Sequence, residues 1–168
     1  MNVILTGFMG TGKSSVGKLL AARLNFTFCD LDALIVAQEG RSINSIFSSN
    51  GECYFRTVES TVLKHVLQKS SRVVSTGGGA VIMKGNRDLM RQFGVVVNLV
   101  ASPATILQRL QDDDERPLLR DAKSLPQIQK LLMEREAFYS EADIRIDTEG
   151  KNVEDVARDI LIFLERGV

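Results

Sequence analysis

The run Gly7-Phe8-Met9-Gly10-Thr11-Gly12-Lys13-Ser14 constrains the fold of this 168-residue chain more than any other stretch. It fits the pattern G-x-x-x-x-G-K-[ST] of the phosphate-binding P-loop. The apolar run Val3-Ile4-Leu5 precedes it, and Val16, Leu19, Leu20 and Leu24 follow at helical spacing. A strand, a glycine-rich turn and a helix in that order put converging backbone N–H groups and the positive end of a helix on one anion. In this pattern Lys13 can bridge the β- and γ-phosphates, and Ser14 can ligate Mg²⁺.

The rest of the chain repeats that alternation. Short β-like runs occur at Phe26 to Cys29, Arg72 to Ser75, Val95 to Val100 and Ile144 to Ile146. Between them lie helical stretches: residues 33–70, broken near Gly40 and Gly51; a helix capped by Ser102 with Pro103 at its first position; one opened by Pro126; and one capped by Asn152. Alternating strands and helices predict a parallel sheet, with every strand's carboxyl end on one edge. Ligands bind beyond that edge, so the residues after each strand matter most.

After the second strand come Asp30 and Asp32, which an extended chain would point to one side. One could hold Mg²⁺ through water, and the other could accept a proton from a substrate hydroxyl; alternatively, Asp32 is a helix N-cap. After the third strand come Gly77, Gly78 and Gly79, which permit close backbone approach. Arg56, Arg116 and Arg135 are guanidinium forks suited to carboxylate or phosphate, although spacing alone does not bring them together.

Composition removes several other chemistries. The chain has one histidine, His65, so a multi-histidine metal site is excluded. Two cysteines, Cys29 and Cys53, make no disulfide framework. Lys and Arg total 21 against 21 for Asp and Glu, which disfavours a nonspecific nucleic-acid binder. The neutral sum hides a basic excess in residues 1–84 and an acidic one in 85–168. There is no membrane-length apolar run and no signal-peptide pattern at MNVILTGFMG, so a cytoplasmic protein is expected.

These motifs together resemble the shikimate kinases over essentially the whole chain. The resemblance rests on the P-loop, Asp30-Leu31-Asp32, Gly40-Arg41-Ser42-Ile43, Gly51-Glu52 with Phe55-Arg56 and Glu59, Gly77 to Ala80, Arg116-Pro117-Leu118-Leu119, and Arg135 with Tyr139 and Ala142-Asp143. It implies an α/β P-loop fold like that of nucleoside-monophosphate kinases. The fold would have a five-stranded parallel sheet in the order 2-3-1-4-5, a substrate segment at about 32–60 and a mobile lid at about 112–123. It implies ATP-dependent phosphorylation of the 3-hydroxyl of shikimate by a monomer, with Mg²⁺ as cofactor and no nucleic-acid or membrane partner.

By the same resemblance, ATP meets Gly10, Thr11, Gly12, Lys13, Ser14, Ser15, Arg109, Arg116 and Lys151. Shikimate meets Asp32, Arg56, Gly77, Gly78, Gly79 and Arg135. Mg²⁺ lies by Ser14 and Asp30, and Lys13, Asp32 and Arg116 are the catalytic groups, with Asp32 as candidate base. The residues alone leave open another small-metabolite kinase, such as a gluconate kinase, or a nucleotide-binding module without turnover.

Overall fold

The computed structural model describes residues 1–111 and 124–167. Strands β1 (Asn2–Thr6), β2 (Thr27–Asp30), β3 (Arg72–Ser75), β4 (Gly94–Val100) and β5 (Ile144–Asp147) form one sheet in the order β2-β3-β1-β4-β5. Every pairing is parallel. Helices α1 (Lys13–Leu24), α2 (Leu31–Glu39), α3 (Ile43–Leu67), α4 (Lys84–Phe93), α5 (Pro103–Leu110), α6 (Leu125–Tyr139) and α7 (Val153–Glu165) connect or follow the strands.

The two-residue period of a strand divides the core into two layers. Ile4 is in register with Val74 and Val96, and all three pack on the side of α2, α3 and α4 with Leu31, Ile35, Leu63 and Met90. Their neighbours Val3, Leu5, Val73, Val95 and Val97 pack on the other side against Val16 and Leu20 of α1 and Val156 and Ile160 of α7. Burial on both faces explains why β1 and β4 read as nearly continuous apolar runs. Asn98 is the exception within β4; its amide donates to Thr6 Oγ1 at 3.4 Å and accepts from Arg145 Nε at 3.3 Å. A third apolar group, Phe8, Met9, Ile106, Leu110 and Ile128, supports the P-loop from below with α5 and α6.

Local signals in the sequence set many boundaries. Ser102 accepts from Thr105 N as the N-cap of α5, with Pro103 at its start. Asn152 and Asp155 form a reciprocal capping box on α7. The expected break at Gly51 exists, because Gly51 adopts φ 80°, ψ 176° inside α3.

Three features differ from expectation. Helix α2 begins at Leu31 rather than near residue 33, because the side chain of Asp30 accepts from Ala33 N and caps it. Asp30, not Asp32, is therefore the cap, and the two carboxylates are joined by a strand-to-helix turn rather than by extended chain. Helix α4 and the single 3₁₀ turn before it, Ala80–Ile82, were not anticipated. In α4 the apolar side chains Leu89, Met90 and Phe93 all fall in its second half, where they pack on the α2–α3 side of the core, and no side chain caps its polar first half, so the sequence signals its start weakly.

Candidate active site

The carboxyl ends of β1, β2 and β3 open onto a solvent-exposed cleft. It is lined by Gly10, Gly12, Lys13, Ser14, Ser15, Asp30, Asp32, Ser75, Thr76, Arg109 and Leu110. The P-loop wraps its floor, with Gly12 as N-cap of α1. Lys13 is only 7% exposed, and its Nζ donates to Gly7 O at 2.8 Å and Phe8 O at 2.9 Å. The ammonium thus crosses the loop it belongs to and sits where an anion entering the loop would lie.

Ser14 Oγ donates to Asp30 Oδ2 at 2.8 Å and lies 3.3 Å from Ser75 Oγ. The hydroxyl proton is directed at the carboxylate, which leaves the Ser14 oxygen lone pairs for a hard cation. This donor set fits Mg²⁺, which takes one or two protein oxygens and keeps most of its water. At the other end of the cleft, Arg109 Nη1 donates to Gly10 O at 3.0 Å and reaches Thr148 Oγ1 at 3.5 Å.

A second group adjoins the first through Asp32. A β-carbon at Gly77 would lie 2.9 Å from Asp32 Oδ1 and 3.1 Å from Glu59 Oε1. One at Gly79 would lie 2.2 Å from Arg56 Nη2, so only glycine lets this guanidinium pass over the loop. Arg56 Nη1 donates to Glu59 Oε2 at 2.7 Å, with both residues buried. Arg135, 7% exposed, has its guanidinium 5.6 Å from the Phe8 ring centre. From the same helix, Tyr139 Oη donates to Gly78 O at 2.6 Å. Burial pushes the Tyr139 hydroxyl above its usual range, opposed by Arg135.

Among the described residues, Glu59 is the most perturbed acid. Burial lifts it from 4.5 to about 7; the Arg56 charge and hydrogen bond oppose the rise, and Asp32 adds to it. Its Oε1 is a buried acceptor without a hydrogen-bond partner, as is the Arg56 Nε donor. Such orphaned atoms beside a cleft mark a site built to meet a ligand. A proton is held by folded Glu59 that the unfolded chain releases near 4.5. This group's stabilisation is complete below that pH and fades as pH rises through about 7, by about 3 kcal/mol over the window. Glu59→Gln stays neutral, so its Tm should gain on the parent's between pH 5 and pH 8. Parallel melting curves would contradict the raised acid.

The structure thus joins the P-loop residues, Asp30 and Asp32 in one cleft, with Arg56, residues 77–79 and Arg135 beside it. Lys151 stands apart; its Nζ bonds Asp159 at 2.9 Å. Arg116 and the expected lid at 112–123 lie outside the described residues. The sequence reading did not single out Glu59 or Tyr139 as site residues. Their signal was spacing, three residues after Arg56 and four after Arg135, which puts each pair on one helix face. His65 is exposed, as is Cys53, whereas Cys29 is buried in the core. Among the described residues, no helix is long and apolar enough to cross a membrane.

Comparison with known proteins agrees with this geometry. The family model described as Shikimate kinase matches residues 9–165. A protein named Shikimate kinase from Geobacter metallireducens is 56% identical over 98% of this chain and 92% of its own. The solved shikimate kinase of Acinetobacter baumannii in complex with shikimate superposes with a TM-score of 0.95 at 36% identity, covering 99% of this chain and 94% of that one. A gluconokinase from Sinorhizobium meliloti reaches a TM-score of 0.61 at 17% identity, over 98% of this chain and 91% of its own, and shares the fold alone.

Proposed function

The chain belongs to the shikimate kinase family, and from that premise we propose how its residues divide the work of the reaction. The activity is ATP-dependent phosphorylation of shikimate, which yields phosphorylated shikimate and ADP. In this reading the phosphoryl acceptor is the 3-hydroxyl.

ATP lies along the P-loop. The N–H groups of residues 10–15 and the start of α1 hold its phosphates, Lys13 neutralises charge at the β and γ positions, and Arg109 stacks on the base. Lys151 stands on the base side. Ser14 and Asp30 would hold Mg²⁺, a reading supported by the Ser14–Asp30 hydrogen bond. When bound, Mg²⁺ supplies positive charge to the transferring phosphoryl group.

Shikimate lies on the other side, against residues 77–79, with its carboxylate gripped by Arg56 and Arg135. Residues 32–60 form the substrate-side segment of a single domain. Asp32 takes the proton of the attacking hydroxyl as its oxygen bonds to the γ-phosphorus and the bond from that phosphorus to the β–γ bridging oxygen breaks, releasing ADP. Phosphoryl transfer has a loose transition state, so in-line placement of the hydroxyl counts for more than the strength of the base. One observation carries this division: Asp32 lines the same cleft as Lys13 and Ser14 and also faces the Gly77–Glu59–Arg56 side. It is the group through which the two halves meet. The enzyme is read as a cytoplasmic monomer, and the free thiols of Cys29 and Cys53 are consistent with a reducing compartment.

A coupled ADP-release assay over a panel of hydroxy acids tests the reading. Shikimate should turn over fastest, and faster turnover with gluconate would overturn the assignment. In the same assay Arg135→Ala should raise KM for shikimate roughly 10- to 100-fold, the loss expected for a charge-assisted hydrogen bond. KM for ATP should stay within about twofold. Equal effects on both substrates would move Arg135 out of the shikimate site.

A further inference from the structure

We propose that Arg87 is a positioning residue for shikimate, fixing the distance between the glycine loop at 77–79 and Arg135. The proposal rests on the functional reading above and extends it to a residue that touches neither substrate.

Arg87 stands at the start of α4, between the two elements that carry the acceptor site. Its Nη1 donates to Val81 O at 2.8 Å and Ile82 O at 3.1 Å, in the 3₁₀ turn that directly continues the glycine loop. Its Nε donates to Glu141 Oε1 at 3.0 Å, just beyond the end of α6. The guanidinium lies 4.6 Å from the ring centre of Phe138, which α6 also carries. One planar group therefore spans both elements, using two edges and a face. A lysine could supply the charge at one point but not that fork.

Neighbouring contacts complete the brace. Asn86 Nδ2 donates to Ala80 O at 2.9 Å, so adjacent residues of α4 hold three successive carbonyls of the turn. Arg91 Nη1 bonds the second oxygen of Glu141 at 2.7 Å. From the α6 side, Tyr139 donates to Gly78 O at 2.6 Å. The glycine loop and α6 thus meet directly through Tyr139 and indirectly through Arg87. Arg135 lies one helical turn from Tyr139 on the same helix, so its place relative to residues 77–79 is set by these contacts. Arg87 and the groups it bonds lie outside the P-loop, which Arg135 and Gly78 only adjoin, so the larger effect is predicted on the acceptor.

The test is Arg87→Met, which keeps the apolar stem, measured with shikimate and with ATP as the varied substrate. KM for shikimate should rise about tenfold, with KM for ATP and kcat within about threefold. Arg87→Lys should recover only part of that affinity, and shikimate binding by calorimetry should weaken in parallel. Combined with Tyr139→Phe, the change should be smaller than the product of the single effects, because both act on one spacing. A lowered Tm with KM for shikimate unchanged, or equal rises in both KM values, would overturn the proposal. Should Arg87→Met fail to fold, the KM ratio of Arg87→Lys and Glu141→Gln decides by the same criterion. The unaltered enzyme is the control. If it does not phosphorylate shikimate, the functional reading itself fails; if it does and the KM ratio is unmoved, only the brace fails.

Discussion

Lys13→Ala is expected to lower kcat by about 10²- to 10³-fold, the usual loss when one preorganised stabiliser of transition-state charge is removed. The size follows from the setting. Lys13 is 7% exposed, with its ammonium within 3 Å of Gly7 O and Phe8 O, at the N-terminus of α1. In so dry a place its charge is screened little by solvent. The alanine also removes the Lys13 donor from Gly7 O, whereas Phe8 O keeps Thr11 Oγ1 at 2.8 Å, so Tm and ATP binding should be measured beside kcat. A loss confined to KM for ATP would make Lys13 a ground-state binder. An unchanged kcat would remove it from the reaction altogether.

Asp32→Asn should reduce transfer about 10³-fold while ATP binding holds, because the amide keeps the carboxylate's shape but cannot take a proton. The substitution has a second readout. Asp32 helps to raise Glu59, so removing its charge should bring the Glu59 titration down from about 7. The pH-dependent fall in stability would then still begin near 4.5 but end at lower pH, and its total would be smaller. Loss of transfer together with that shift supports Asp32 as a charged group facing both substrates. Activity like that of the parent enzyme would reduce Asp32 to a structural acid.

Much of the fold was legible in the sequence because its signals are local. The P-loop, the apolar strands, Ser102-Pro103, Asn152 and the break at Gly51 each act within a few residues of themselves. Helix α4 escaped because its apolar face, Leu89, Met90 and Phe93, is confined to the second half of a ten-residue helix that opens on polar residues; Arg87, Arg91 and Asn86 also tie it to other elements. The turn at Asp30 was misread for a related reason. Whether a carboxylate continues a strand or caps a helix depends on which backbone N–H it meets, here Ala33 N. The candidate site was legible in its members but not in its joints. Arg56 and Gly79 meet only because β3 lies between β2 and β1. The perturbation of Glu59 depends on how much protein covers it, which no spacing reports. Lys151 illustrates the opposite case: its loop sits beyond β5 as expected, but its charge is engaged with Asp159.

The central place of β1 has a consequence for how the molecule comes into being. This strand is synthesised before both of its partners, yet it pairs with β3, which starts at Arg72, and β4, which starts at Gly94. Until about residue 100 has emerged, Val3, Ile4 and Leu5 have nowhere to be fully covered, and Gly7 has no Leu99 carbonyl to lie against. Closing loops of that length slows folding and leaves an apolar edge open to wrong pairing. The phosphate cradle is therefore encoded before β3 and β4, the strands that complete it. A nascent fragment ending before β4 should expose the motif without forming a folded phosphate site.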